Sequence, residues 1–239
     1  MILVLLPHSD YDPTESSVPW QYLHRAGIEV RFATPTGAVA HADPRLVEQG
    51  FGPLNPLLMT RKPDLESYRA MLSDPHFQHP MAYADVDPTQ FAGLLDADAA
   101  KRIALHFFKA GKPIASVCHG PLLFARTLDP ETGRSVLYGR KVTGLLSVTM
   151  ELAAWMITAP WLGRYYRTYP QTVEAEIKAT LASPGDFIAG PPALLRDSAS
   201  RPERGFTVRD GNLLTARWPG DCHRLAAEWL RMLKEAPTS

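Results

Sequence analysis

The sequence predicts an α/β fold: one doubly wound, mostly parallel sheet with helices on both faces, spanning residues 1–239 as a single domain. Three observations predict it. Short apolar runs alternate with helical patterns along most of the chain, the signature of repeated βαβ units. The first run, residues 2–6, is continuously apolar, as a strand buried on both faces requires. Of the 239 residues, 45% are hydrophobic, ample for a large core.

The elements follow in order. Residues 2–6 form a buried strand, too short for a membrane span or a secretion signal and without a basic segment before it. Residues 16–27 read as helix, with Gly27 as the C-terminal stop. Residues 28–34 alternate over most of their length, and Pro35 ends that strand. From residue 37 to 87 the pattern dissolves under Pro44, Pro53, Pro56, Pro63, Pro75 and Pro80, with one helical stretch near 64–72. An irregular stretch this long inside a domain is expected to be an ordered excursion, a lid or a dimer surface. Alternation resumes with a strand at 91–95, a helix at 97–110 stopped by Gly111, and a buried strand at 113–117. Residues 120–127 are helical, 141–145 a strand, and helices follow near 150–157 and 171–181. A strand at 187–189 precedes a hairpin, in which 206–209 and 213–217 flank the turn dipeptide Asp210-Gly211. A helix over 221–234 completes the pattern.

The 25 Lys and Arg balance the 25 Asp and Glu, so no global field steers the chain toward nucleic acid or a membrane surface, and neither is an expected partner. Two cysteines, Cys118 and Cys222, make no disulfide framework and lack CxxC spacing, which fits a reducing cytoplasm. Cys222, beside Asp221 and His223, reads as structural. His8, His41, His76, His79 and His223 have no metal-ligand spacing, and surface or lid positions are expected for them.

The most informative segment is Gly111-Lys-Pro-Ile-Ala-Ser-Val-Cys-His-Gly-Pro121. A buried strand ends in Cys118 and a helix starts directly after His119-Gly120, so the sulfur lies at the carboxyl end of a parallel strand, where such sheets place ligands. The following helix N-terminus favours thiolate over thiol. This is the logic of a nucleophile elbow with Cys in place of Ser. Gly120 allows close backbone approach, and Pro121 suits a first helical turn. The competing reading is that Cys118 is a small buried hydrophobe.

Ala115-Ser-Val-Cys-His-Gly-Pro121 resembles the elbow of the ThiJ/PfpI superfamily, which is related to class I glutamine amidotransferases. The run Ser9-Asp-Tyr-Asp-Pro-Thr-Glu15 matches too, as do Gly27-Ile-Glu-Val-Arg-Phe-Ala-Thr-Pro-Thr-Gly37, Gly163-Arg-Tyr-Tyr-Arg-Thr-Tyr-Pro170 and Asp210-Gly-Asn-Leu-Leu-Thr-Ala-Arg-Trp-Pro-Gly220. Together they span nearly the whole chain and point to a bacterial glyoxalase- or deglycase-like branch. The resemblance implies a flavodoxin-like, class I glutamine amidotransferase-like sheet, a homodimer, and chemistry without a metal or organic cofactor.

It also implies roles. Glu15 matches the acidic residue that approaches the family's cysteine. A carboxyl beside a thiolate should hold a proton, since adjacent anions raise one of the two pKa values. Acids are also favoured in a first helical turn for their own sake. His119 matches the histidine after the nucleophile and would act as general base, provided its ring reaches sulfur or substrate. Glu151 is the candidate third member, orienting His119; the alternative is a solvated Glu on a helix face.

One departure stands out. The family's strand at 91–95 runs into a Pro-Gly-Gly turn whose amides face a developing oxyanion. Here Leu95 passes to Asp96-Ala97-Asp98, with no glycine pair. Losing that turn while keeping the elbow makes little chemical sense, so a further mobile segment is expected there; a real loss would impair hydrolytic chemistry badly.

The resemblance implies a cysteine-dependent enzyme acting on small reactive carbonyls, of the glutathione-independent glyoxalase or deglycase type. The alternatives are an amidohydrolase or peptidase-like hydrolase working through an acyl-cysteine, and a redox-sensing or chaperone-like stress protein in which Cys118 is oxidised reversibly. Aromatic residues in the 155–169 region are expected in core or interface rather than against substrate.

Overall fold

In the computed structural model, which describes residues 1–96, 101–167, 169–193 and 195–236, strand β1 is Ile2–Leu5, all four residues buried. Its side chains alternate between two cores, Ile2 and Val4 on one face of the sheet, Leu3 and Leu5 on the other. A three-residue strand, β2, Ser9–Tyr11, leads to helix α1, Pro13–Arg25. Asp12 caps that helix, accepting from Thr14 N at 2.8 Å, and Pro13 fills the first turn, where no amide donor is missed. The helix therefore starts three residues before its apolar pattern does, which puts Glu15 in its first turn.

Strand β3, Val30–Thr34, pairs in parallel with β1. The excursion then opens with β4, His41–Ala42, parallel to β2. It continues through a π-turn at Arg45–Gln49 and three helices, α2 (Asn55–Leu58), α3 (Lys62–Leu72) and α4 (Pro75–Gln78). Helix α3 packs on α1, and β5, Met81–Ala82, returns the chain to the sheet beside β3. The excursion is thus ordered.

Strand β6 is Gly93–Asp96, shifted by up to two residues from the expected run, and pairs in parallel with β1. The expected helix from residue 97 is described from Lys101, as α5, Lys101–Lys109; its first four residues, and with them the departure at Ala97-Asp98, lie outside the described residues. Strand β7, Ile114–Val117, joins β6 and runs into the short helix α6, Pro121–Ala125. A π-turn at Ser147–Leu152 leads to α7 (Ala153–Leu162), followed by α8 (Val173–Lys178). The hairpin forms as expected, β8 (Thr207–Asp210) with β9 (Leu213–Ala216), and α9 (Cys222–Glu235) follows.

The sheet order is β5-β3-β1-β6-β7-β9-β8, parallel throughout except for the β8–β9 pair. The run β3-β1-β6-β7-β9 is the flavodoxin-like order, which reverses direction at β1, and ligands bind such sheets at the carboxyl ends near that switch. One face packs on α1 and α9 through Val18, Leu23, Leu225 and Trp229; the other packs on α5, α6 and α8 through Phe107, Phe124 and Ile177. Among the described residues, no helix is long and apolar enough to cross a membrane.

Two expected strands, 141–145 and 187–189, are reduced to a single bridge between Val142 and Phe187. The amides of the first are used elsewhere: Thr143 N donates to Thr215 Oγ1 at 2.9 Å, and Leu145 N to the carbonyl of Cys118 at 3.1 Å. A segment spent on buttressing the elbow has no ladder left to build.

Candidate active site

Cys118 directly follows β7 with φ of 61°, a left-handed conformation that a residue with a side chain adopts at a cost of about 1–3 kcal/mol. The surroundings hold it there. Its N–H donates to Ala216 O at 3.2 Å, and its carbonyl accepts from Leu145 N. Gly144 makes that approach possible, since a Cβ there would lie 3.4 Å from Cys118 O and 3.1 Å from the Ile177 side chain. The bend aims the thiol away from the strand while the residue stays 7% exposed.

The charge state differs from the expectation of a helix-stabilised thiolate. Burial first, then the carboxyl of Glu15, push the Cys118 thiol well above its ordinary value, against a weaker opposing hydrogen bond from the His119 amide. Helix α6 offers little against this, being five residues long with Pro121, which has no N–H, in its first turn. Glu15 is also raised well above the carboxylate range, by burial and then by Asp12, with its hydrogen bond to Cys118 opposing. These surroundings favour a neutral thiol beside a neutral carboxylic acid.

His119 is exposed, and its Nδ1 lies 3.3 Å from Cys118 Sγ, so the adjacent ring does turn back onto the sulfur. It lines a small cavity with Leu122, Glu151, Tyr166 and Gln171. Glu151 is buried: its carboxylate accepts from Arg167 Nη1 at 3.1 Å and from Val173 N at 3.0 Å. The structure therefore places Glu15 against Cys118, Cys118 against His119, and Glu151 in the lining of the cavity that His119 also lines. The solvated helix-face alternative for Glu151 does not describe it. Among the described residues, no group of three or more His, Cys, Asp or Glu is placed to hold a metal ion.

Several residues at this site were not singled out by sequence. Arg167 pairs with Glu151, and Asp12, the cap of α1, adds its charge to Glu15. Tyr166 lines the cavity, its ring stacked on Phe51 at 6.3 Å and edge-on to Tyr165 at 4.7 Å. The Tyr165 hydroxyl donates to Asp43, tying the segment after α7 to the excursion. The run Gly163-Arg-Tyr-Tyr-Arg167 was the available signal, but aromatic residues carry no spacing rule that separates a pocket wall from a core. Cys222 is a free, fully buried thiol in α9.

Residues 6–92 match the ThiJ/PfpI family-like model, and residues 92–232 match that of the DJ-1/PfpI family. Glyoxalase 3 of Candida albicans is 24% identical over 255 residues, covering 95% of this chain and 97% of that protein. The glutathione-independent glyoxalase HSP31 of Saccharomyces cerevisiae is 26% identical over 132 residues, 55% of this chain and 48% of its own. The crystal structure of glyoxalase III from Candida albicans superposes with a TM-score of 0.68 at 18% identity, covering 97% of both chains, a likeness of fold.

Proposed function

This chain belongs to the DJ-1/PfpI family, and from that premise we propose that it is a cysteine-dependent enzyme converting small reactive carbonyls, of the glutathione-independent glyoxalase type, with methylglyoxal as the representative substrate. The observation that carries this reading is the 3.3 Å approach of His119 Nδ1 to Cys118 Sγ, beside Glu15, whose carboxyl burial holds well above the usual carboxylate range. The relatives named glyoxalase support the substrate class.

The chemistry follows from the proton inventory. His119 takes the thiol proton as sulfur adds to the aldehyde carbon, and the proton returns to the carbonyl oxygen, giving a hemithioacetal. His119 then removes the proton from that carbon, a proton is returned to the neighbouring carbon, and the hemithioacetal's hydroxyl proton passes to the former ketone oxygen, so that the adduct isomerises to a lactoyl thioester. Water cleaves the thioester, freeing lactate and the thiol. Methylglyoxal and water become lactic acid, with no external oxidant or reductant. In this reading Glu15 donates a hydrogen bond to sulfur, and Glu151, anchored by Arg167, fixes the lining that it shares with His119.

A redox sensor is less well supported, because selective oxidation needs a stable thiolate and burial here opposes one. The decisive test is lactate formation from methylglyoxal without glutathione, for the native protein beside Cys118→Ala. Turnover is expected in the former and not in the latter. Absence from both, or persistence in the variant, would refute the reading.

A further inference from the structure

We propose that Tyr166 is a further catalytic residue: its phenolic hydroxyl donates a hydrogen bond to the substrate's carbonyl oxygen while Cys118 adds to the carbon. The inference rests on the carbonyl-addition reading above. In that step the Sγ–C bond forms, the C=O π pair moves onto oxygen, and the proton from sulfur goes to His119. The new alkoxide needs a donor already in place until His119 returns the proton, and such a donor is worth roughly 10²–10³-fold in rate. Tyr166 keeps its own proton throughout.

Tyr166 lines the cavity that His119 also lines, and His119 Nδ1 lies 3.3 Å from the sulfur. Three other cavity residues carry donors. His119 is committed to the sulfur. Tyr169 is half exposed and its hydroxyl is engaged by Arg126. Gln171 is exposed. Tyr166 is better held, by Phe51 on one side and by Tyr165, itself anchored on Asp43, on the other. Burial, and then the charges of Asp12 and Asp43, raise its pKa above the ordinary phenol value, so it keeps its O–H.

Tyr166→Phe keeps the ring and removes only the hydroxyl. The test measures kcat and KM for methylglyoxal without glutathione and, separately, the rate at which iodoacetamide alkylates Cys118, a substitution that creates no oxyanion. The expected result is a kcat lower by roughly 10²-fold or more, with KM within a few-fold and alkylation unchanged. A kcat within twofold of the native enzyme would overturn the assignment. So would a parallel fall in alkylation, which is what a merely structural role for the ring predicts. A native enzyme with no turnover would overturn the carbonyl reading and this inference with it, whereas native turnover with an unaffected variant would overturn this inference alone.

Discussion

Asp197 carries a pH-dependent penalty that can be worked out from its surroundings. It is 3% exposed, and one carboxyl oxygen accepts from Arg224 N in the first turn of α9 at 2.8 Å. The other, Oδ1, is buried without a hydrogen-bond partner among the described residues. The Arg224 amide and the charge of His223 favour the anion, but burial outweighs them and Asp197 is pushed up from 3.8 to about 7. Below the unfolded value both states are protonated and the group costs nothing. Between the two values the unfolded chain is ionised while the folded one still holds the proton, so stability falls as pH rises through that window and levels off above 7. At 1.36 kcal/mol per unit, the penalty is roughly 4 kcal/mol above that range, and roughly 2.5 kcal/mol of it develops between about pH 5 and pH 8. Asp197→Asn keeps an oxygen for Arg224 and cannot ionise. The urea midpoints of the two proteins are therefore expected to diverge with pH, the variant gaining by roughly 2.5 kcal/mol over that interval. A difference that stays constant between pH 5 and pH 8 would show that Asp197 is already ionised in the folded state.

Two further outcomes follow from buried charge. Arg217 and Asp221, both almost wholly buried, are joined by hydrogen bonds of 2.8 and 2.9 Å, so Arg217→Met or Asp221→Leu alone should cost about 3–5 kcal/mol by urea unfolding, and the double variant clearly less than the sum; strict additivity would refute the coupling. The Cys118 thiol, raised by burial and by Glu15, should alkylate faster with every step in pH above neutrality, measured against Cys118→Ala, and a plateau at or below about pH 7 would mean a resting thiolate instead.

The parts legible in the sequence are those whose local pattern and tertiary environment make the same demand. Strand β1 is apolar at every position and β7 at all but Ser116, because helices cover both faces of the sheet, and a near-continuous run is what such a strand must look like. The elbow was legible because a Cys between a buried strand and a Pro-led helix has few other uses. What failed was set by partners far away in the chain. Residues 141–145 have the alternation of a strand, yet their amides answer to Thr215 and Cys118. The excursion was expected to be ordered, but most of its elements were not legible, because long-range bonds help to hold it, Arg196 reaching Leu57 O at 3.0 Å and Arg61 reaching Asp197 O at 3.0 Å, and no periodicity records those.

The sign of the Cys118 shift is the deeper miss, because it changes which residue must act first. A helix N-terminus lowers a thiol pKa by a fraction of what full burial beside a carboxyl raises it, and burial cannot be read from the elbow's own residues. In the proposed carbonyl chemistry a thiolate at rest would leave His119 to serve the substrate alone. A thiol at rest would instead have the ring at 3.3 Å take the sulfur's proton before moving one on the adduct, acting twice in one turnover. Glu151, in the lining of the same cavity, is held by Arg167 and the Val173 amide rather than by solvent.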